Sequence, residues 1–268
     1  MHYELADIES LLESDTELGE LKRSSPIANP FYWFISYRKK VGEPSCGEVV
    51  AALGPIWGYP EVLYWLGIPP EEETRRIIKE AILDYVDNRS TDFPATIGEI
   101  LHLLGKQFPV GQIIYVLGDV TDERIGFKAL PPCSNLEDYI NLLGQFGLFR
   151  EEIGAPVTLG EILSIFAPQW GAYWTLNALA VLCREDDSLK PTEITKLVDG
   201  ALRRIRKYLD KRKSPFKPTV DEIFQFLRNE EYPDFLSLEI IAEFFNQIYF
   251  FIYQQPLYVK ANYGGALA

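Results

Sequence analysis

Four passages of this chain share one grammar: "PSCGEVVAAL" (44–53), "PATIGEILHLL" (94–104), "PVTLGEILSIF" (156–166) and "PTVDEIFQFL" (218–227). Each has a Pro, then a Ser or Thr within two residues, then a Glu three positions on. The pairs are Ser45/Glu48, Thr96/Glu99, Thr158/Glu161 and Thr219/Glu222. This is the capping box of a helix start, in which the hydroxyl accepts the N–H of the third helical residue and the carboxylate reaches back to the N–H of the cap. The Pro disfavours helix in the residue before it and so separates each start from the preceding segment. Apolar residues follow each Glu at a fixed spacing: Val49/Val50/Leu53, Ile100/Leu101/Leu104, Ile162/Leu163/Phe166 and Ile223/Phe224/Leu227. That spacing places three side chains on one helical face, toward a core.

A second helix follows each start. Tyr59-Pro60, Phe108-Pro109 and Tyr232-Pro233 open further apolar runs with Pro early in the helix, and Trp57-Gly58 is matched by Trp170-Gly171. Longer amphipathic stretches come next. Residues 70–88 carry Ile77, Ile78, Ala81, Ile82 and Tyr85 on one face, and 191–213 carry Ile194, Leu197, Val198, Ala201, Leu202, Ile205 and Leu209. Another box, Ser134/Glu137, predicts a shorter helix, and 235–254 reads as a long aromatic one. Residues 112–130 admit a hairpin about Gly118-Asp119 as an alternative to helix.

The predicted fold is therefore all-α: four divergent helical repeat units, each of two short helices plus a longer one, stacked in one body. Residues 1–43 form an N-terminal arm and cap, with the aromatic 29–40 covering the open end. Residues 44–155 hold units 1 and 2, residues 156–258 hold units 3 and 4, and 259–268 form a flexible C-terminal tail. On this reading the four glutamates are a building rule dispersed along a stack, not convergent groups of one active site.

Composition narrows the partners. The balance of 26 Lys+Arg against 39 Asp+Glu gives a net charge of −13, which argues against nucleic acid, whose binding rests on neutralised phosphates. Cys46, Cys133 and Cys183 lie apart in odd number, and the acidic N-terminal stretch lacks the basic flank of a signal peptide, so a cytoplasmic protein is expected. The uncharged run 162–183 contains Pro168, Gln169, Gly171 and Asn177, so two buried helices joined by a turn are expected there, with no transmembrane segment.

Catalytic signals are sparse. His102 stands three residues after Glu99, a lone Glu-x-x-His, and His2 is the other histidine. There is no CxxC and no phosphate-binding glycine loop, and the acids of "CREDDSLKP" (183–191) read as a solvated loop. No catalytic residue, metal or cofactor is expected.

Repeated helical units present long surfaces, so the expected function is a non-catalytic scaffold or adaptor that binds a protein partner. The contact residues expected are Arg203, Arg204, Arg206, Lys207, Lys211, Arg212 and Lys213, a local basic face suited to a partner acidic at the contact. The alternative is a carrier of an apolar small molecule or pigment in an aromatic-lined groove between repeats, with Trp57, Trp65, Trp170 and Trp174 as its lining.

Overall fold

A computed structural model describes residues 28–120, 130, 133–155, 157, 159–182, 191–212, 214, 216 and 218–229. Eleven helices occupy them: α1 (Ala28–Arg38), α2 (Cys46–Trp57), α3 (Tyr59–Leu66), α4 (Glu72–Asp87), α5 (Ile97–Leu104), α6 (Val110–Leu117), α7 (Leu136–Glu152), α8 (Leu159–Trp170), α9 (Ala172–Leu182), α10 (Pro191–Lys211) and α11 (Val220–Asn229). Among the described residues there is no strand, only an isolated bridge residue at Ala95. The hairpin alternative for 112–130 fails in its first arm, because Gln112 to Leu117 are helical; residues 121–129 lie outside the described set. So do residues 1–27, 183–190 and 230–268, and with them the loop acids, Cys183, the aromatic 235–254 and the tail.

The caps form where the grammar placed them. Ser45, Thr96 and Thr219 each accept the N–H of the Glu three residues on, at 3.1, 3.1 and 3.0 Å. Thr158 lies outside the described residues. The Ser134/Glu137 box is displaced by one residue: Asn135 is the cap of α7, accepting from Asp138 N at 3.0 Å, and the Asp138 carboxylate takes the Ser134 N–H at 2.8 Å. Asn is as good a cap as Ser, so the two residues compete and the apolar register from Leu136 decides between them.

The uncharged run 162–183 is broken by Gly171, whose φ of 82° lies in the left-handed region that a side chain would oppose. Gly58, with φ 95°, makes the same turn between α2 and α3. Among the described residues no helix is long and apolar enough to cross a membrane.

Two apolar cores stand out among the described residues. The first gathers α1 to α6 around Phe31, Phe34, Leu53, Leu63, Ile82, Ile100 and Ile113. The second gathers α7, α8 and α9 around Leu143, Phe146, Phe166 and Leu179. Each buried side chain of this size contributes about 1.5–3 kcal/mol. The two cores exchange one aromatic each. Phe93, just before α5, packs edge-on against Phe146 and Phe166 of the second core, at 5.4 and 6.0 Å between ring centroids. Phe216, just before α11, packs edge-on against Phe34 and Trp57 of the first, at 5.5 and 6.4 Å. The cap-bearing helices meet at the centre, α2 against α5 and α8, and α8 against α11. Ile77 departs from the expected face of α4: Ile78 and Ile82 are buried, whereas Ile77 is 42% exposed.

Candidate functional site

Glu48, Glu99 and Glu222 do not reach back to their caps. Each of the four repeated glutamates binds an arginine at or near the end of the preceding helix. Arg38 donates Nε to Glu48 Oε1 at 2.7 Å and a second guanidinium N–H to Oε2 at 3.1 Å. Arg89 binds Glu99 in the same two-pronged way, at 2.7 and 3.0 Å. Arg212 binds Glu222 at 2.6 and 2.8 Å. Arg150 binds Glu161 at 2.6 and 3.4 Å, using its two terminal nitrogens because Nε is given to Ala155 O at 3.2 Å. Each of the other three guanidiniums also donates to a carbonyl four residues on: Gly42, Phe93 and Phe216. Each clasp thus closes the loop between a helix end and the next helix start.

These pairs are buried. Side-chain exposure is 1% and 2% for Arg38 and Glu48, 4% and 0% for Arg89 and Glu99, and 5% and 1% for Arg212 and Glu222. Removing such charges from water is costly unless every lone pair finds a donor. Two solutions supply the additional donor. At Glu99 and Glu222 a tyrosine one turn before the arginine, Tyr85 or Tyr208, donates its hydroxyl. Burial and the adjoining carboxylate raise both phenol pKa values, so both stay protonated as donors. At Glu48 and Glu161 the corresponding residues are Phe34 and Phe146, which have no hydroxyl. There the cap threonine of another helix donates instead: Thr219 to Glu48, and Thr96 to Glu161.

The acids are therefore gathered, contrary to the dispersed arrangement expected from sequence. Glu48 lies beside the Glu222 helix start, and Glu161 beside that of Glu99. Arg150 Nη1 joins the second pair by reaching Thr96 Oγ1 at 3.1 Å and Glu99 Oε2 at 3.8 Å. The two groups correspond side chain by side chain. Arg89 lies 5.2 Å from the ring of Phe149, and Arg212 lies 5.0 Å from that of Tyr37. They differ where Tyr37 stands for Phe149, and again where Asp221 stands for Gly98. Gly98 lets α5 approach closely, since a Cβ there would sit 3.3 Å from Glu161 Oε1. Asp221 occupies the corresponding place beside Glu48, and burial followed by the Glu48 charge raises its carboxyl to about 6.

Sequence reading missed Arg38, Arg89 and Arg150, and misassigned Arg212. A signal was present: an arginine stands ten or eleven residues before each repeated Glu, with an aromatic one turn earlier, Phe34, Tyr85, Phe146 or Tyr208. Arg212 leaves the basic face because its guanidinium is held by Glu222. Arg203, Arg204, Arg206, Lys207 and Lys211 are exposed along α10, and Lys213 lies outside the described residues.

The tryptophans are divided between the cores. Trp57 and Trp65 belong to the first, with Trp65 against Phe31 at 3.8 Å. Trp170 is buried in the second, and Trp174 stacks on Tyr139 at 5.7 Å with 44% of its surface exposed. The structure does not bring the four together around one groove.

His102 is half-buried and burial holds its pKa below the ordinary imidazole value; Glu99 beside it is committed to Arg89 and Tyr85. Among the described residues no group of three or more His, Cys, Asp or Glu is placed to hold a metal ion. Burial pushes the Cys46 thiol to about 12, leaving little thiolate at neutral pH. A second surface network, outside the clasps, joins Arg75 to both oxygens of Asp119 at 2.7 and 2.6 Å, with Tyr64 donating to the same carboxylate at 2.8 Å. The guanidinium holds the Asp119 carboxyl below the usual range. It ties α3, α4 and the end of α6 together. Compared with protein families, characterised proteins and solved structures, the chain matches none.

Proposed function

We propose that this chain is a non-catalytic scaffold or adaptor that binds a protein partner through the outer face of α10. One observation carries the reading. The central charges are consumed by one another in Arg–Glu clasps, whereas Arg203, Lys207 and Lys211 lie exposed in a line four residues apart on an otherwise acidic protein. A cationic stripe on an acidic background selects an acidic contact and speeds encounter with it.

The architecture behind this face is four divergent helical units forming two like halves. α1 to α6 make the first half, and α7 to α11 make the second. What supports this division is the alternation of the clasps: Phe34 and Phe146 with a borrowed threonine, Tyr85 and Tyr208 with their own hydroxyl. The exchange of Phe93 and Phe216 follows the same division. In this arrangement α1 belongs to the first half as α7 does to the second.

The test is comparative capture from the native organism, with wild-type chain and with Arg203/Arg204/Arg206/Lys207→Glu. A partner retained by wild type and lost on charge reversal supports the reading. A verified partner held equally by both removes the proposed interface. The carrier reading has one observation in its favour, the exposed Trp174 stacked on Tyr139. A small molecule extracted from the purified protein, with retention weakened by Trp174→Ala, would favour it.

A further inference from the structure

The two like halves carry helices that correspond residue for residue, and their outer faces are opposite in charge. Tyr85, Arg89 and Glu99 of one clasp match Tyr208, Arg212 and Glu222 of another at a constant separation along the chain. This fixes the register between α4 and α10 by geometry, and the buried positions agree with it. Ile82 and Ile205 are each fully buried, as are Ile78 and Ala201. In that register Arg76 of α4 stands where α10 has Asp199, Glu80 where it has Arg203, and Asp84 where it has Lys207. Glu73 corresponds to Lys196 in the same sequence register.

All six of Arg76, Glu80, Asp84, Asp199, Arg203 and Lys207 are exposed. On this face of α4, Arg76 bridges Glu73 at 2.6 Å and Glu80 at 3.0 Å, pairs with well over half of each side chain in solvent. Exposed pairs of this kind are weak and exchange readily with a better-placed partner. The stripe also has an unfilled apolar element. Ile77 projects from α4 at 42% exposure, and the residue in register on α10 is Gly200. A large side chain on one face and the smallest residue on the other permit close approach of two helices laid parallel in register. The charge match ends at Asp87 and Asp210, which are alike, with Lys211 adjoining.

We infer that α4 of one copy of this chain docks along α10 of a second copy, pairing Glu80 with Arg203, Asp84 with Lys207 and Asp199 with Arg76. The inference rests on the proposed role of the α10 face as a contact surface and names its partner: the complementary face of the same chain. Because each copy carries both faces, the contact is made twice in a closed pair and successively in an open chain.

The experiment is sedimentation velocity of the full chain over a range of concentrations, at about 50 mM and about 500 mM salt, where surface charges are weakly and strongly screened. Self-association at low salt that weakens at high salt is expected. Glu80→Arg with Asp84→Lys, and separately Arg203→Glu with Lys207→Asp, each weaken it about tenfold or more, since like charges then oppose. Mixing the two reversed chains restores association, because opposite charges again face each other, and circular dichroism verifies that both variants remain folded. A chain that stays monomeric under all conditions overturns the inference, as does failure of the mixed chains to associate. Carbodiimide cross-links from the α10 lysines to acids of residues 1–20 within a single chain would assign the face to that stretch and also overturn it. None of these results alters capture of a foreign partner by the α10 face, which is read separately.

Discussion

Glu99 and Glu48 begin corresponding helices behind a hydroxyl cap, each clasped by a buried arginine, yet they complete their hydrogen bonding differently. Glu99 takes its extra donor from Tyr85, on the helix just before it, 14 residues away. Glu48 takes it from Thr219, 171 residues away. The same contrast separates Glu222 from Glu161. The lesson is that the constant requirement is saturation of a buried carboxylate, and the source of the donor is free to vary. A desolvated charge short of one hydrogen bond costs more than any particular donor contributes. Where the local donor is missing, the need recruits a distant one. That recruitment holds α11 against α2, and α5 against α8.

Removing an arginine breaks this system most severely. Arg150→Ala should destabilise the protein by about 3–5 kcal/mol, because it strands Glu161 and removes the contact with Thr96; urea unfolding measures it. A loss below about 1 kcal/mol would mean that water already solvates the pair. Next comes the donor exchange. Tyr85→Phe should cost about 1.5–3 kcal/mol, the value of a hydrogen bond to a charged group. Thr219→Val should cost at least as much, because it removes both the cap of α11 and the donor to Glu48. Adding Phe34→Tyr to Thr219→Val should recover part of that loss if the two solutions are interchangeable, and a double-mutant cycle reads the recovery. No recovery would show that the borrowed threonine serves chiefly as a cap.

The smaller prediction uses a position where the two groups differ in charge. Asp221 has a folded carboxyl pKa of about 6, above its unfolded value near ~4, so the folded state binds the extra proton in this window. Stability attributable to this residue therefore falls as pH rises from ~4 to ~6. Asp221→Asn should stabilise the protein by about 1–2 kcal/mol above pH ~6, with the gain vanishing below pH ~4. Unfolding curves across that range decide it, and a gain independent of pH would contradict the assignment. Least of all, Arg203→Glu and Lys207→Glu should each change stability by no more than about 0.5 kcal/mol, since exposed charges away from special features seldom do more.

Several features were legible before any coordinates. Ser45, Thr96 and Thr219 cap helices because hydroxyl and amide lie within one turn of chain. Leu53, Ile100, Phe166 and Ile223 are buried because helical spacing puts them on the face opposite the charges. The break at Gly171 followed from a glycine in a matched Trp-Gly turn. Ile77 misled, since it lies at the edge of the apolar stripe, where burial depends on what packs alongside. Arg212 misled for another reason. Its sequence neighbours are basic and exposed, and only the fold back to α11 puts its guanidinium against Glu222.

The sequence by itself determined that the chain is helical, where most helices begin, and that the repeated glutamates belong to those beginnings. All of these depend on interactions a few residues long, which no distant contact needs to approve. Tertiary structure alone decided that the glutamates bind arginines, that they meet in two groups, and that Thr96 and Thr219 serve two helices at once. Those outcomes follow from burial. Once water is excluded, a carboxylate binds whichever donors packing brings to it, and packing is a property of the whole chain.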